Sequence, residues 1–114
     1  MSNCIFCKIV AGEIPSRKVY EDDLVVAIHD IEPQSPVHVL VVPKKHIAGV
    51  NELTHEDEAI VGHAYAVISQ LVKDLKIDET GYSVVVNSGK DGQQSVPHLH
   101  FHILGGRLLA WPPG

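Results

Sequence analysis

The spacing of apolar residues along the chain predicts two helices of different length. Near the N-terminus apolar residues fall at helical spacing, namely at Ile5, Phe6, Ile9 and Val10. Because Gly12 follows where a helix would end, we expect a short helix over about residues 4–10. A second apolar stripe runs from residue 60 to residue 75, with Thr54 as a good N-cap and acidic residues in the first turn. It predicts a long helix that ends near residue 76.

Five apolar runs between these helices and after them predict strands. β-branched residues dominate segments 18–22 and 24–30, and the acidic residues between the two segments favour an antiparallel hairpin. The other predicted strands are 37–45, 81–87 and 96–104. The order helix, three strands, helix, two strands predicts an α+β fold on an antiparallel sheet. We expect one domain over residues 1–114, with 105–114 as a C-terminal tail.

Composition limits the classes of function. A chain of 114 residues is long enough for one core, and its 45% hydrophobic content is typical of a globular protein. The formal net charge of −5 argues against nucleic acid as a partner. The N-terminus lacks the features of a secretory signal, and no apolar run reaches the length of a membrane span. We therefore expect a cytoplasmic protein with no membrane partner.

Three histidines occupy every second position of the last predicted strand. They are His98, His100 and His102, and apolar residues separate them. Side chains at alternate positions of a strand share one face, so the three imidazoles are predicted to point the same way. A single histidine in a strand is usually a hydrogen-bonded filler, but three on one face would pack poorly without a chemical task. Metal binding and catalysis are the two remaining interpretations.

The spacing leaves at least one histidine available for catalysis. Histidines two positions apart can share a zinc ion, but a third, four positions along a straight strand, lies too far away to join them easily. Neutral imidazole is a nucleophile near pH 7, and its attack on phosphorus would form a covalent phosphohistidine. Asn87, Ser95 and the backbone N–H groups of loop 89–94 are candidates to hold phosphate oxygens or a leaving group.

Several segments of the sequence resemble a known family. The segment "HLHFHIL" resembles the histidine triad motif, His-φ-His-φ-His-φ-φ with φ apolar. The segments "IFCKIVAGEIPSRKVYEDD", "IHDIEPQSPVHVLVVPKKH" and "NSGKDGQQSV", with the "WPPG" ending, are similar to the Hint branch of the histidine triad (HIT) superfamily. The resemblance implies a HIT-like fold: a five-stranded antiparallel sheet with one long and one short helix. It also implies a two-fold homodimer whose sheets join into ten strands.

The resemblance implies an enzyme that hydrolyses purine nucleoside 5′-phosphoramidates, typically those of adenosine, to the nucleoside monophosphate and an amine. His100 would be the nucleophile that forms a nucleotidyl-histidine intermediate, and His102 would contact the α-phosphate. His98 and His38 would form a hydrogen-bonded relay. Ser95 would assist the amine leaving group.

The resemblance also implies where the nucleotide binds. Asp30 would bind the ribose hydroxyls, and Asn87 would position the phosphate. Trp111, near the C-terminus, would reach toward the partner's active site and its nucleotide. Apolar side chains would surround the base, namely Phe6, Ile9, Ile14 and Ile31.

Two other functions stay open. A dinucleoside polyphosphate hydrolase or nucleotidyltransferase would use the same histidine and differ in its leaving group. A zinc-dependent or nucleotide-sensing binding module with little turnover belongs to another class. We assign no site role to His29, His55 or His63, and we expect Lys44 and Lys45 to be solvated.

Cys4 and Cys7 form a C-x-x-C pair like that of family members that carry a structural zinc. In those members the other two ligands match His46 and His98. Zinc at His98 would conflict with the relay, because a nitrogen bound to metal cannot also shuttle a proton. The alternatives are a pair of thiols beside the core and a reversible disulfide. Catalysis itself is expected to need no cofactor.

Overall fold

Five antiparallel strands form one sheet in the computed structural model, which describes residues 3–113. The strands are β1 (Lys18–Glu21), β2 (Val25–His29), β3 (Val37–Pro43), β4 (Tyr82–Val85) and β5 (Phe101–Gly105). Their spatial order is β1-β2-β3-β5-β4. The predicted α+β fold with a five-stranded antiparallel sheet is therefore confirmed. Gly105, which we expected in the tail, is the last residue of β5.

The two helices are α1 (Ile5–Val10) and α2 (Glu58–Asp74), and they cover opposite faces of the sheet. Apolar residues of α2 pack on one face, together with Leu99, Phe101 and Ile103. Phe6 and Ile9 of α1 pack on the other face. Strand residues alternate between the faces, so this arrangement leaves the histidines of the last segment on the α1 face. The face with the shorter helix is where the site lies.

The last strand is shorter than predicted. Residues 96–100 are irregular, and β5 begins at Phe101. Pro97 has no N–H to give to a neighbouring strand. The next N–H, of His98, bonds to the carbonyl of Val96 at 2.8 Å, and the N–H of Leu99 bonds to Ile47 at 2.6 Å. The prediction of one straight strand carrying all three histidines was therefore wrong.

The long helix begins after a short helical turn. Thr54 caps this turn, His55–Asp57, in a capping box: the carboxylate of Asp57 accepts the N–H of Thr54 at 3.0 Å. Nζ of Lys45 lies 2.6 Å from the other carboxylate oxygen of Asp57, a residue that is only 2% exposed. The side chain of Lys45 is half exposed, as expected for a solvated residue, but its ammonium also neutralises a buried carboxylate at the start of α2.

His63 of α2 also has a structural partner. Its Nε2 lies 2.5 Å from a carboxylate oxygen of Asp22. The other oxygen of Asp22 accepts the N–H groups of Leu24 and Val25 in the β1–β2 turn. This link ties the helix to the hairpin. Within residues 3–113 we find no helix that is both long and apolar enough to cross a lipid bilayer.

Candidate active site

His100 lies directly before β5 and is 3% exposed. Its Nδ1 lies 2.7 Å from the carbonyl oxygen of His98. A carbonyl oxygen only accepts hydrogen bonds, so Nδ1 carries the proton and Nε2 keeps a lone pair. Phe6 of α1 packs edge-on against the ring, with the centroids 4.9 Å apart. The fold thus fixes the tautomer in which Nε2 is unprotonated and able to act as a nucleophile.

A chain of hydrogen bonds fixes the tautomer of His102 as well. The backbone N–H of Gln34 donates to Nδ1 of His38 at 3.0 Å, so His38 carries its proton on Nε2. That Nε2 lies 2.9 Å from Nδ1 of His102. His102 therefore accepts at Nδ1 and carries its own proton on Nε2. This leaves His102 an N–H donor beside His100, and the two ring centroids are 5.0 Å apart.

The imidazole rings of His38 and His102 are both neutral near pH 7. Burial lowers the pKa of His38, although the Asp30 carboxylate opposes the shift from 3.4 Å away. Burial, with the neighbouring His100 and His38 rings, lowers the pKa of His102 to about 4. A neutral His102 adds no positive charge beside His100, yet it can still donate its N–H to an acceptor in front of it.

The predicted relay between His98 and His38 was wrong. His38 bonds to His102, whereas the ring of His98 faces away toward the cysteines. The reason is strand register: His38 pairs with Leu104 and Leu40 pairs with His102, so His38 lies diagonally across from His102 on the same face. His98 contacts His100 through its main-chain carbonyl rather than through its ring.

A cavity of about 230 Å³ adjoins these histidines on the α1 face. His100, His102 and Ser95 line one end, and Asp30 lines the cavity near the end of β2. Other sequence-predicted residues form its apolar walls, namely Phe6, Ile9 and Ile31. The fold therefore brings together most of the residues implied for nucleotide binding. His29 also lines the cavity, although we had assigned it no site role.

Three residues implied for the nucleotide lie outside this cavity. Ile14 packs beside the α1 core instead. The side-chain amide of Asn87 donates to the carbonyl of Gly92 at 2.7 Å, so it holds the loop rather than facing the cavity. Trp111 is 84% exposed in the tail and lines none of the cavity of its own chain.

Cys4, Cys7, His46 and His98 form a compact cluster next to this cavity. The ligand atom that each of them offers lies within 4.8 Å of every other. Nδ1 of His98 lies 3.3 Å from Sγ of Cys4, 3.6 Å from Sγ of Cys7 and 3.1 Å from Nδ1 of His46. Sγ of Cys7 lies 3.1 Å from the same nitrogen of His46. Helix α1 holds both cysteines, with Cys4 as its N-cap.

These distances are close to those between the donors of a tetrahedral metal ion, and the two of 3.1 Å are slightly shorter than its ideal edge. Zinc bonds to sulfur at about 2.3 Å and to nitrogen at about 2.0–2.1 Å, which gives a tetrahedron with edges of about 3.3–3.8 Å. Nε2 of His98 lies 2.7 Å from the carbonyl oxygen of Pro43 and so carries the ring proton. Its Nδ1 is then unprotonated toward the cluster, as a metal ligand must be. The donor set is chemically complete for zinc.

Two positioning contacts have no signal in the histidine motif. Gln94 bonds through its amide nitrogen to the carbonyls of Ala48 at 2.7 Å and Val96 at 3.0 Å, which fastens the loop beside Ser95. Arg107 donates to the carbonyl of Gln34 at 2.9 Å, the residue whose N–H sets the His38 tautomer. Both act mainly on backbone atoms, which a residue pattern does not reveal.

Comparison with known proteins agrees with this geometry. The family profile for the HIT domain matches residues 11–109. An uncharacterised HIT-like protein of Synechococcus elongatus is 50% identical over 110 residues, which are 96% of each chain. A solved HIT family hydrolase from Legionella pneumophila is 44% identical with a TM-score of 0.96, covering 98% of this chain and 100% of that one.

A solved histidine triad nucleotide-binding protein from Candida albicans is 35% identical, with a TM-score of 0.83 over 98% of this chain and 85% of that one. These likenesses extend over nearly the whole chain, far beyond the three histidines. Together with the sheet order and the placement of His98, His100 and His102 on the α1 face, they establish the family. The chain belongs to the HIT domain family of histidine triad proteins.

Proposed function

We propose that this chain is a nucleoside phosphoramidase of the Hint branch. It would hydrolyse the P–N bond of purine nucleoside 5′-phosphoramidates, with adenosine as the typical nucleoside. The observation that carries the proposal is the fixed tautomer of His100, whose Nδ1–H bonds to the His98 carbonyl and leaves Nε2 as a nucleophile at the cavity. Its solved relatives include a HIT family hydrolase and a histidine triad nucleotide-binding protein.

The first chemical step transfers the nucleotide to the enzyme. Nε2 of His100 attacks the α-phosphorus, a new P–N bond forms, and the bond from phosphorus to the amine nitrogen breaks. The leaving amine nitrogen takes the hydroxyl proton of Ser95, which lines the same cavity, so Ser95 ends the first step without that proton. The N–H on Nε2 of His102 donates to a phosphate oxygen as negative charge builds there.

The second step releases the nucleotide. Water attacks phosphorus and gives one proton to the Ser95 oxygen, which restores the hydroxyl. The bond from phosphorus to His100 breaks, and the nucleoside monophosphate departs with the water oxygen. His100 returns to its starting tautomer because the carbonyl of His98 holds the proton on Nδ1 throughout. The net reaction converts phosphoramidate and water into nucleoside monophosphate and amine.

The function is tested by offering the wild-type protein adenosine tryptamine phosphoramidate and, separately, diadenosine polyphosphates. We expect the phosphoramidate to be cleaved to AMP and tryptamine, which a fluorescence assay measures. Its kcat/KM should be at least about 100-fold higher than that of the polyphosphates, a discrimination of about 2.7 kcal/mol. Faster cleavage of the polyphosphates would favour the dinucleoside polyphosphate hydrolase. Binding of AMP without turnover of either substrate would favour the binding module.

Asp30 is proposed to bind the ribose diol. Its Oδ1 accepts the N–H of Glu32 at 2.8 Å, and the carboxylate lines the cavity beside Ile31. A carboxylate can accept both hydroxyl hydrogens of a diol.

For Asp30→Asn we expect KM for an adenosine phosphoramidate to rise about tenfold, because a hydrogen bond to a charged group is worth about 1.5–3 kcal/mol. Asparagine keeps an oxygen for the N–H of Glu32. The matched control is the 2′,3′-dideoxy substrate, whose KM is expected to change less than twofold. An equal loss on both substrates would mean that Asp30 acts through His38 instead.

We propose zinc as the structural ion of the cluster of Cys4, Cys7, His46 and His98. The tetrahedral distances and the proton on Nε2 of His98 support it. When bound, the ion would supply cross-linking of α1 to the segments after β3 and before β5. It takes no part in the reaction steps, which fall to His100, His102 and Ser95.

Association of two copies is a further part of the proposal. β4 is an edge strand of the sheet, and the side chain of Tyr82 on it is partly exposed. In the tail Leu108 and Trp111 are exposed apolar residues. A two-fold pairing would bury such groups and bring Trp111 toward the partner's cavity. Light scattering at micromolar concentration is expected to give the mass of two chains, and the mass of one chain would contradict the pairing.

A further inference from the structure

The cavity of about 230 Å³ beside His100 and His102, which we propose binds the nucleotide, is called the nucleotide cavity. A second cavity, of about 440 Å³, opens beside it. The two share Ile5, Ser95 and Val96 as lining residues, so Ser95 stands at their boundary. The far wall of the second cavity includes His46, Ala48 and Pro97. We refer to this second cavity as the outer cleft. Its other described lining residues, which include His46, Ala48 and Pro97, do not line the nucleotide cavity.

The chemistry of the first step places the leaving group at the outer cleft. A phosphoryl group held between His100 and His102 lies in the nucleotide cavity, and the departing nitrogen must lie within reach of the Ser95 hydroxyl. The substituent on the amine nitrogen then extends past Ser95. Because Ser95 also lines the outer cleft, the cleft is the adjoining space that this group can enter.

The composition of the outer cleft indicates what it accepts. None of the described residues that line it is an aspartate, glutamate, lysine or arginine. A cationic side chain entering it would lose water without gaining a carboxylate, which is unfavourable. Four lining residues offer apolar surface, namely Ile5, Ala48, Val96 and Pro97. The other four are polar but carry no formal charge as neutral side chains, namely Asn3, Cys4, His46 and Ser95, and two of these belong to the cluster of Cys4, Cys7, His46 and His98. Ammonia is about the size of a water molecule, which occupies about 30 Å³ in the liquid. As a leaving group it would therefore leave almost all of the cleft unfilled.

We propose that the outer cleft is a leaving-group subsite that selects phosphoramidates of bulky, uncharged amines, either aromatic or aliphatic. This inference rests on the proposed phosphoramidase function and specifies its substrate class. Binding energy from the apolar group would then be used to place the P–N bond between His100 and Ser95. Amines that end in a second ammonium group are disfavoured.

The wild-type protein provides the first test, with AMP joined to n-pentylamine or to 1,5-diaminopentane. Both are primary alkylamines, and they differ at the far end by one ammonium group. We expect kcat/KM to be at least about tenfold higher for the pentyl substrate, a discrimination typical of a small change in an apolar pocket. Equal values, or a preference for the diamine, would overturn the proposal.

The second test fills the cleft. In Ala48→Phe the ratio of kcat/KM for tryptamine over methylamine phosphoramidates is expected to fall about tenfold from the wild-type ratio, as one small apolar change can. Ala59→Phe, on the exposed surface of α2, is the matched control and should keep the wild-type ratio. Thermal melting checks that each variant is folded. An unchanged ratio in folded Ala48→Phe would overturn the subsite.

The two proposals fail in different ways. Cleavage of the methylamine substrate without any preference among larger amines would remove the subsite and leave the phosphoramidase function intact. If none of the phosphoramidates is cleaved by the wild type, the phosphoramidase function is overturned, and the leaving-group subsite with it.

Discussion

The His100→Ala variant is expected to lose at least about 10⁴-fold in kcat toward adenosine tryptamine phosphoramidate, because it lacks the atom that bonds to phosphorus. The loss should appear in kcat rather than in KM, since the walls formed by Phe6 and Ile9 still bind the nucleoside. Rapid quenching of the wild-type reaction, followed by mass spectrometry, should detect one nucleotidyl group on the peptide that contains His100.

Two comparisons separate loss of the nucleophile from loss of structure. His55→Ala removes a histidine whose side chain is fully exposed on the surface, and it should keep wild-type kcat. His100→Gly leaves space in which added imidazole can act as the nucleophile, so imidazole should restore part of the rate. A His100→Ala variant with more than a tenth of the wild-type kcat would contradict the covalent mechanism.

His102→Ala provides a graded comparison within the same prediction. His102 donates a hydrogen bond to phosphate but forms no covalent bond, so its loss should cost about 10²–10³-fold, as for other donors to developing charge. We therefore expect a larger loss of kcat in His100→Ala than in His102→Ala. This order follows from the tautomers that the contacts with Gln34, His38 and His98 fix.

Much of the fold was predictable because apolar periodicity is a local property of the chain. The spacing of Phe6 and Ile9 indicated α1, and the alternation of Leu99, Phe101 and Ile103 with histidines indicated the two faces of the last segment. What failed was the start of the last strand, since Pro97 diverts the next N–H groups to Val96 and Ile47. Such a diversion depends on which segment lies alongside.

The site was predictable as a set of residues but not as a set of pairs. The alternation of residues identified His98, His100 and His102, and the resemblance to the histidine triad family added His38 but assigned it the wrong partner. The pairing of Leu40 with His102 sets the diagonal contact between His38 and His102. Strand register is a tertiary property, which the alternation of residues in a single strand does not determine. Backbone donors to the rings are likewise absent from a residue pattern.

Loss of the proposed zinc is expected to have the largest effect on stability. Purified protein should contain one zinc per chain, and Cys4→Ser with Cys7→Ser should abolish metal binding. An ion present at 100 times its Kd stabilises the folded state by about 2.7 kcal/mol, so its loss should lower Tm by about 10 °C in a domain of this size. Elemental analysis and thermal melting with and without a chelator measure both quantities.

The controls address the other interpretations of the cysteines. His46→Ala removes an exposed ligand and leaves the sequence of α1 unchanged, and it should lower both the zinc content and Tm. His55→Ala removes a surface histidine outside the cluster and should change neither. A reversible disulfide would instead make Tm depend on a thiol reductant. Protein that binds no zinc when zinc is supplied, and melts at the same temperature with chelator, would contradict the metal site.

The zinc prediction also connects stability to catalysis through one residue. The ring of His98 belongs to the cluster, while its main-chain carbonyl accepts the Nδ1–H of His100. Loosening the ring would loosen the carbonyl that sets the tautomer of the nucleophile. We therefore expect kcat of the cysteine variants to fall below wild type even at temperatures where they stay folded. Zinc-free protein with full kcat would mean that the Pro43 contact alone holds His98 in place.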